Sequence, residues 1–211
     1  MKTLVQCDFD GTITEEEVSS VLLDIFARGD WRQLLRQYRE HRISVLELNT
    51  RSFAMVTADE AALLEALKDR FRVRAGFHGL VDCCLRKGFR LAIVSNGLDF
   101  YIRAVLKELG LEELEVHAAR AGFHPHGMEV RYVGPDGRIV EDGFKEAYTR
   151  SFLEQGYGIV YLGNGESDVA PAKHAQLVFA TDELLEYCRD NGVDCRPLVD
   201  FTAVVGELET L

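Results

Sequence analysis

Two aspartates two residues apart, Asp8 and Asp10 in VQCDFDGTIT, follow directly on a short apolar run. Like charges that close repel, so the pair is costly unless some chemistry uses it. One such chemistry is phosphoryl transfer. A carboxylate attacks phosphorus and is later released by water, which divides one hard step into two. A second carboxyl two residues on can protonate the leaving oxygen and then activate that water. Carboxylates beside a phosphate dianion call for a divalent, oxygen-preferring cation, and Mg2+ fits best. A lysine and hydroxyl or backbone N–H donors then hold the remaining phosphate oxygens. The chain offers these in SNG (95–97), Lys145 and GNGESD (163–168).

These groups need a scaffold that brings them to one place. TLVQC (3–7), RLAIVS (90–95), GIVYLG (158–163) and QLVFA (176–180) read as short buried strands, each followed by a turn signal. A weaker strand, EVHAA (115–119), precedes an expected hairpin over 128–140 whose turn is Pro135-Asp136-Gly137. Helical patterns over 77–87, 98–109, 144–155 and 182–191 lie between the strands, so the class is α/β with a parallel sheet covered on both faces. Ligands of such sheets gather beyond the carboxyl ends of the strands, where Asp8, Ser95 and Gly163 fall. Gly11 permits the tight turn that the aspartate pair needs. Residues 15–76 break the rhythm with amphipathic helices only, and read as an all-helical cap inserted after the first strand. The core then comprises 1–14 and 77–211.

The chain has 211 residues, of which 47% are hydrophobic and 28% charged, an ordinary globular balance for one core plus an insertion. A net charge of −11 argues against nucleic acid as a partner, and an anionic substrate would need positive charge supplied locally. No apolar run approaches membrane-spanning length, and five cysteines without paired metal spacing read as reduced thiols, so a cytoplasmic protein is expected. Nothing in the sequence sets an oligomeric state.

DFDGTIT, SNG, Lys145 and GNGESDVAPA, in that order over nearly the whole chain, resemble the four motifs of the haloacid dehalogenase superfamily phosphatases. The helical insertion is similar to the cap of the phosphoserine-phosphatase-like branch. The resemblance implies a Rossmann-like core, Mg2+ and a small phosphorylated metabolite as substrate. It implies Asp8 as nucleophile, Asp10 as general acid and base, and Ser95 and Lys145 as phosphate ligands beside the Asn96 and Gly97 backbone. It also implies a metal held by Asp8, the Asp10 carbonyl, Asn164 and Asp168. Because Asp10 is present, the dehalogenase branch is not expected. The fourth motif usually opens with Gly-Asp. Here it opens with Gly163-Asn164, which removes one negative charge from the metal cage and is expected to weaken metal binding.

Within the superfamily, SNGLDFYIRAVL and the tail QLVFATDELLEYCRDNGVDCRPLVDF resemble the methionine-salvage phosphatases acting on 2-hydroxy-3-keto-5-methylthiopentenyl-1-phosphate. Those enzymes carry a cysteine-rich stretch before the third motif, and GPDGRIVEDGFK has none. Phosphoserine phosphatase is the alternative: Glu17 falls at the offset of the glutamate that takes the substrate's amino group. Arg51 is the cap arginine available for its carboxylate, and equally suits a solvated helix face. Glu17 also suits the first turn of a helix, where the dipole favours a carboxylate. A reading of another class is a catalytically impaired phosphate-ligand binding or sensor protein, suggested by Asn164. A phosphotransferring mutase is a third.

Other signals carry less. His124-Pro125-His126, with His117 nearby, lacks a third partner at metal-binding spacing. Cys83-Cys84 falls in a helical pattern as small buried thiols, GYGIVYLGNG matches no nucleotide-binding glycine spacing, and Trp31 follows a helical period as packing.

Overall fold

The computed structural model describes residues 2–211. The strands are β1 (Lys2–Cys7), β2 (Arg90–Leu98), β3 (Glu115–His124), β4 (Gly127–Arg131), β5 (Tyr157–Gly163), β6 (Leu177–Ala180) and β7 (Arg196–Pro197). They form one sheet in the order β4-β3-β2-β1-β5-β6-β7, parallel throughout except for β4 against β3. β1 is central, its Leu4 and Val5 paired with Arg90 and Leu91 on one side and Ile159 and Val160 on the other. Leu4, Val5, Ile93, Val94, Ile159 and Leu162 are fully or almost fully buried, as a sheet covered on both faces demands.

Four helices follow β1: α1 (Val18–Phe26), α2 (Trp31–Arg39), α3 (Val45–Phe53) and α4 (Glu60–Leu67). Side chains of Asp30, Ser44 and Asp59 cap α2, α3 and α4 by accepting from Gln33, Glu47 and Ala62 N–H, each cap worth about 1 kcal/mol. The chain returns past a single bridge between Thr14 and Val73 into α5 (Phe77–Lys87). The remaining helices are α6 (Asp99–Glu108), α7 (Phe144–Glu154), α8 (Val169–Ala172), α9 (Asp182–Asp190) and α10 (Phe201–Leu208). Among the described residues no helix is long and apolar enough to cross a membrane. All five cysteines are free thiols.

Three elements, α8, β7 and α10, lie outside those expected from the sequence; α10 packs on α5 through the Phe77–Phe201 ring pair, 5.4 Å between centroids. The hairpin also differs. Its strands are β3 and β4, turning between His124 and Gly127. Pro135-Asp136-Gly137 instead closes a smaller loop, with Val133 bridging Ile139 and Gly134 N–H donating to the Arg138 carbonyl at 2.8 Å. That turn follows β4 and joins no two strands of the sheet. A third difference bears on the site: β2 runs through Ser95-Asn96-Gly97 to Leu98, its pairing with β3 shifting register between Val94 and Leu98.

Candidate active site

Asp8 leaves β1 with its N–H on the Leu162 carbonyl of β5, 2.9 Å, so the central strand aims the residue beyond the sheet edge. One carboxylate oxygen accepts from Phe9 N–H at 2.7 Å; the other meets Lys145 Nζ at 2.7 Å. Lys145 is the second residue of α7, after Gly143 in the left-handed region (φ +66°). Its carbonyl is tied to the buried pair Gln6 and Thr149, which fixes this first turn against β1. Asp8, Asp10, Ser95, Asn96, Gly97, Lys145, Asn164 and Glu17 all line one cavity of about 380 Å3.

Asp10 is pinned from two sides. Val18 N–H, at the start of α1, donates to one oxygen at 3.2 Å, and the buried Tyr101 hydroxyl of α6 donates to the other. A methyl group added at Gly97 would lie 2.1 Å from Tyr101 Oη and 2.6 Å from Asp10 Oδ2, so glycine alone fits there. Gly11 answers to a second demand: it holds φ +72°, and an added Cβ would lie 2.2 Å from Asn164 Nδ2. Arg74 clamps the resulting loop through the Gly11 and Thr12 carbonyls, at 2.9 and 2.8 Å. Ser95 Oγ accepts from Gly97 N–H at 3.1 Å, while Asn96 Oδ1 is buried without a partner.

Asp168 departs from the metal-ligand expectation. Oδ1 accepts from Lys145 Nζ (2.6 Å) and Tyr161 Oη (2.5 Å), and Oδ2 from Asn164 and Gly165 N–H (both 3.0 Å). Four donors saturate a fully buried carboxylate that lies outside the cavity lining, so in this arrangement it positions Lys145 rather than facing a cation. Gly163 makes room for it, since an added Cβ would come within 2.6 Å of its carboxyl carbon.

The two substrate-binding expectations divide. Glu17 lines the cavity, where its carboxylate accepts from Asn164 Nδ2 at 2.8 Å. Arg51 does not reach it: α3 turns Leu48, Asn49, Ser52 and Phe53 inward, and Arg51 pairs on the outside with Glu47 at 3.0 Å. The arginine that helices α1–α4 bring to the cavity is Arg39, in the last turn of α2. Tyr101, Tyr161, Asn49 and Arg39 escaped the sequence reading. For the tyrosines the available signal was position, one on a helix directly after SNG and one on the strand leading into GNGESD.

Burial acts on both front carboxyls. Burial pushes Asp8 up to about 7, against the opposing pull of Lys145. Burial, and next the neighbouring Glu17, raises Asp10 well above the usual carboxylate range, with the Tyr101 hydrogen bond opposing. Burial also raises Glu17, with the Asn164 hydrogen bond opposing. Burial alone would lower Lys145, but Asp168 and Asp8 outweigh it and keep the ammonium charged. Two buried carboxyls with raised affinity for protons, one of them paired to a charged lysine, are groups able to do acid–base chemistry.

Residues 5–173 match the haloacid dehalogenase-like hydrolase family, more than half of the chain. The chain belongs to this family. It is 31% identical to the 2-hydroxy-3-keto-5-methylthiopentenyl-1-phosphate phosphatase of Geobacillus kaustophilus (strain HTA426), over 97% of this chain and 94% of that one. Its counterpart in Bacillus pumilus (strain SAFR-032) is 26% identical, over 91% and 84%. A substrate-bound phosphoserine phosphatase superposes with a TM-score of 0.71 at 18% identity, covering 98% of both chains, and so shares the fold. With phosphatases as relatives along its length, the protein is a phosphatase of the haloacid dehalogenase-like family.

The donor set suits the cation used by such hydrolases. Asp8, Asn164 Oδ1 and the Asp10 carbonyl are hard oxygen donors at one cavity wall. Among the described residues the Asp10 carbonyl accepts no hydrogen bond, and the Asn164 carboxamide is held by Thr12 Oγ1 (3.3 Å) and Glu17. No group of three or more His, Cys, Asp or Glu able to hold a metal occurs among the described residues, the histidines at 117, 124 and 126 included. His117 instead stacks on Tyr148, centroids 4.1 Å apart.

Proposed function

We propose that this phosphatase hydrolyses a small phosphorylated metabolite through an aspartyl-phosphate on Asp8. The observation that carries the proposal is the pairing of Asp8 with Lys145 at 2.7 Å on a cavity floor shared with the doubly pinned Asp10. A Mg2+ held by Asp8, the Asp10 carbonyl and Asn164 supplies positive charge to the phosphoryl oxygens when bound. Lys145, with Ser95 and the Asn96–Gly97 backbone, binds the same oxygens. An Asp8 oxygen bonds to phosphorus as the bond to the leaving oxygen breaks, and the Asp10 proton passes to that oxygen. Asp10, now a carboxylate, takes a proton from water; the water oxygen bonds to phosphorus, and Asp8 leaves as carboxylate. Tyr101 and Val18 N–H hold Asp10 in one orientation for both transfers. Helices α1–α4 act as a cap that shields this chemistry from bulk water.

The leaving group we favour is that of 2-hydroxy-3-keto-5-methylthiopentenyl-1-phosphate, the substrate in the names of full-length relatives. The apolar cap residues lining the cavity support it. Glu17 and Arg39 in the same lining favour phosphoserine as the second reading, because a zwitterion needs both signs. Phosphate release from an aryl ester, with and without Mg2+ and beside Asp8→Asn, tests the chemistry. Metal-dependent release abolished by the substitution is expected, and equal release from the variant would overturn the nucleophile. A folded protein that binds phosphate without turnover would support a sensor instead.

A further inference from the structure

Asn49 is the polar residue that α3 contributes to the cavity floor, 9% exposed. Its Nδ2 donates to the Asn96 carbonyl and to Tyr132 Oη, both at 2.9 Å, and Tyr132 donates its own proton to the Asn96 carbonyl at 2.7 Å. Rotating the amide by half a turn would set Oδ1 against that carbonyl, acceptor against acceptor, so the network fixes which atom is which. Both N–H bonds are spent inside the protein. Oδ1 remains, with no donor and not sealed from solvent, as the group that Asn49 offers the cavity. It stands beside the Asn96–Gly97 turn, whose glycine touches Asp10. Around it the cap supplies a different surface. Leu23, Trp31, Leu35 and Leu48 line the same cavity, and the Trp31 indole N–H is already satisfied by Asp24 at 3.0 Å, so its ring presents only apolar surface.

Resting on the phosphatase reading above, we infer that Asn49 Oδ1 and this apolar wall together select the leaving group. The preferred class is a monophosphate whose leaving chain carries a hydroxyl near the phosphoester and an uncharged apolar end. The hydroxyl donates to Asn49 Oδ1; the end packs on the wall. Arg39 and Glu17 would serve a charged end instead, which makes the choice testable.

Three esters divide the terms: hexane-1,2-diol 1-phosphate, hexyl phosphate without the hydroxyl, and propane-1,2-diol 1-phosphate without the tail. With Mg2+ present, kcat/KM for the hexanediol ester is expected to exceed that for hexyl phosphate by about tenfold, one hydrogen bond's worth. It is expected to exceed that for the propanediol ester by at least about tenfold, from three methylenes. In Asn49→Ala the first ratio falls toward one, whatever general loss the substitution causes, because that loss strikes both substrates. In Leu35→Ala, on a partly exposed position, the second ratio shrinks and the first stays. A hydroxyl ratio near one in the parent protein, an unchanged ratio in Asn49→Ala, or a preference for O-phosphoserine over the hexanediol ester would each overturn the inference. The corresponding phosphonates, which cannot turn over, give the same ratios by calorimetry. Ratios preserved in binding with no turnover of any ester would remove the phosphatase reading and leave the subsite; turnover with flat ratios would do the reverse.

Discussion

Gly97 joins the proposed phosphate-binding turn to the acid–base pair, because any side chain there must displace Tyr101 or Asp10. Gly97→Ala is expected to lower kcat by about 10²-fold with KM little changed, since a misplaced proton donor costs rate rather than affinity. Overpacking should also cost about 1–3 kcal/mol of stability, read by urea unfolding beside the kinetics. Lys145→Met tests the other pair. It strips the counter-charge from two buried carboxylates, Asp8 and Asp168, and should destabilise the fold by about 3–5 kcal/mol. Unchanged unfolding would show that neither carboxylate depends on the lysine. The residues gathered at the cavity were legible because Asp8, Asp10, Ser95, Lys145 and Asn164 close or follow apolar strand patterns or open a helical one, in a fixed order. Their supports were not. Tyr101 reaches Asp10 across 91 positions and Tyr132 bonds Asn49 across 83, and no local period records such pairs. Arg51 left two readings open for the converse reason: a helical arginine looks alike from the sequence whether its face turns to a cavity or, as here, to water.

Helix α3 carries the residues that discriminate, and the β3–β4 hairpin buttresses it. At the hairpin turn Gly127 holds φ +137°, and an added Cβ would stand 2.1 Å from the Ala54 carbonyl at the end of α3. Ser44, at the other end of α3, bonds the Glu141 carbonyl at 3.3 Å. Gly127→Ala is therefore expected to raise KM by loosening α3 while leaving Asp8 chemistry on small esters intact; kinetics on a bulky and a minimal ester would separate the two. The hairpin's true turn was hidden because Pro135-Asp136-Gly137 gives the stronger local signal, whereas His124–Gly127 is selected by the close approach of α3. The β2–β3 edge carries a pH signature. Burial pulls Glu115 upward, but hydrogen bonds from His117 and Arg90 outweigh it and hold the carboxyl at about 2, below its ordinary 4.5. A depressed folded value stabilises fully above pH 4.5 and is lost as pH falls toward 2. Glu115→Gln should thus cost on the order of 1–2 kcal/mol at pH 7, a difference that closes between about pH 4.5 and 2 in urea midpoints.

Taken whole, the molecule is acidic, with net charge −11, and Glu15, Glu166, Asp182 and Glu183 stand with Arg39 in the cavity lining. A dianionic ester approaches against that field, while a divalent cation is drawn in by it. Raising ionic strength from about 20 to about 200 mM at fixed Mg2+ should raise kcat/KM by about two- to threefold, through screening of the repulsion. A fall would show that the local positive charge of the site governs approach instead. The strand order has a further consequence, in time rather than in space. β1 is hydrogen-bonded on both flanks, and Asp8 N–H extends that ladder by one rung. Amides in such a position exchange with deuterium only when the entire sheet opens. The Asp8 amide is therefore expected among the slowest in the protein to exchange, so the strand that presents this carboxylate outlasts local openings elsewhere.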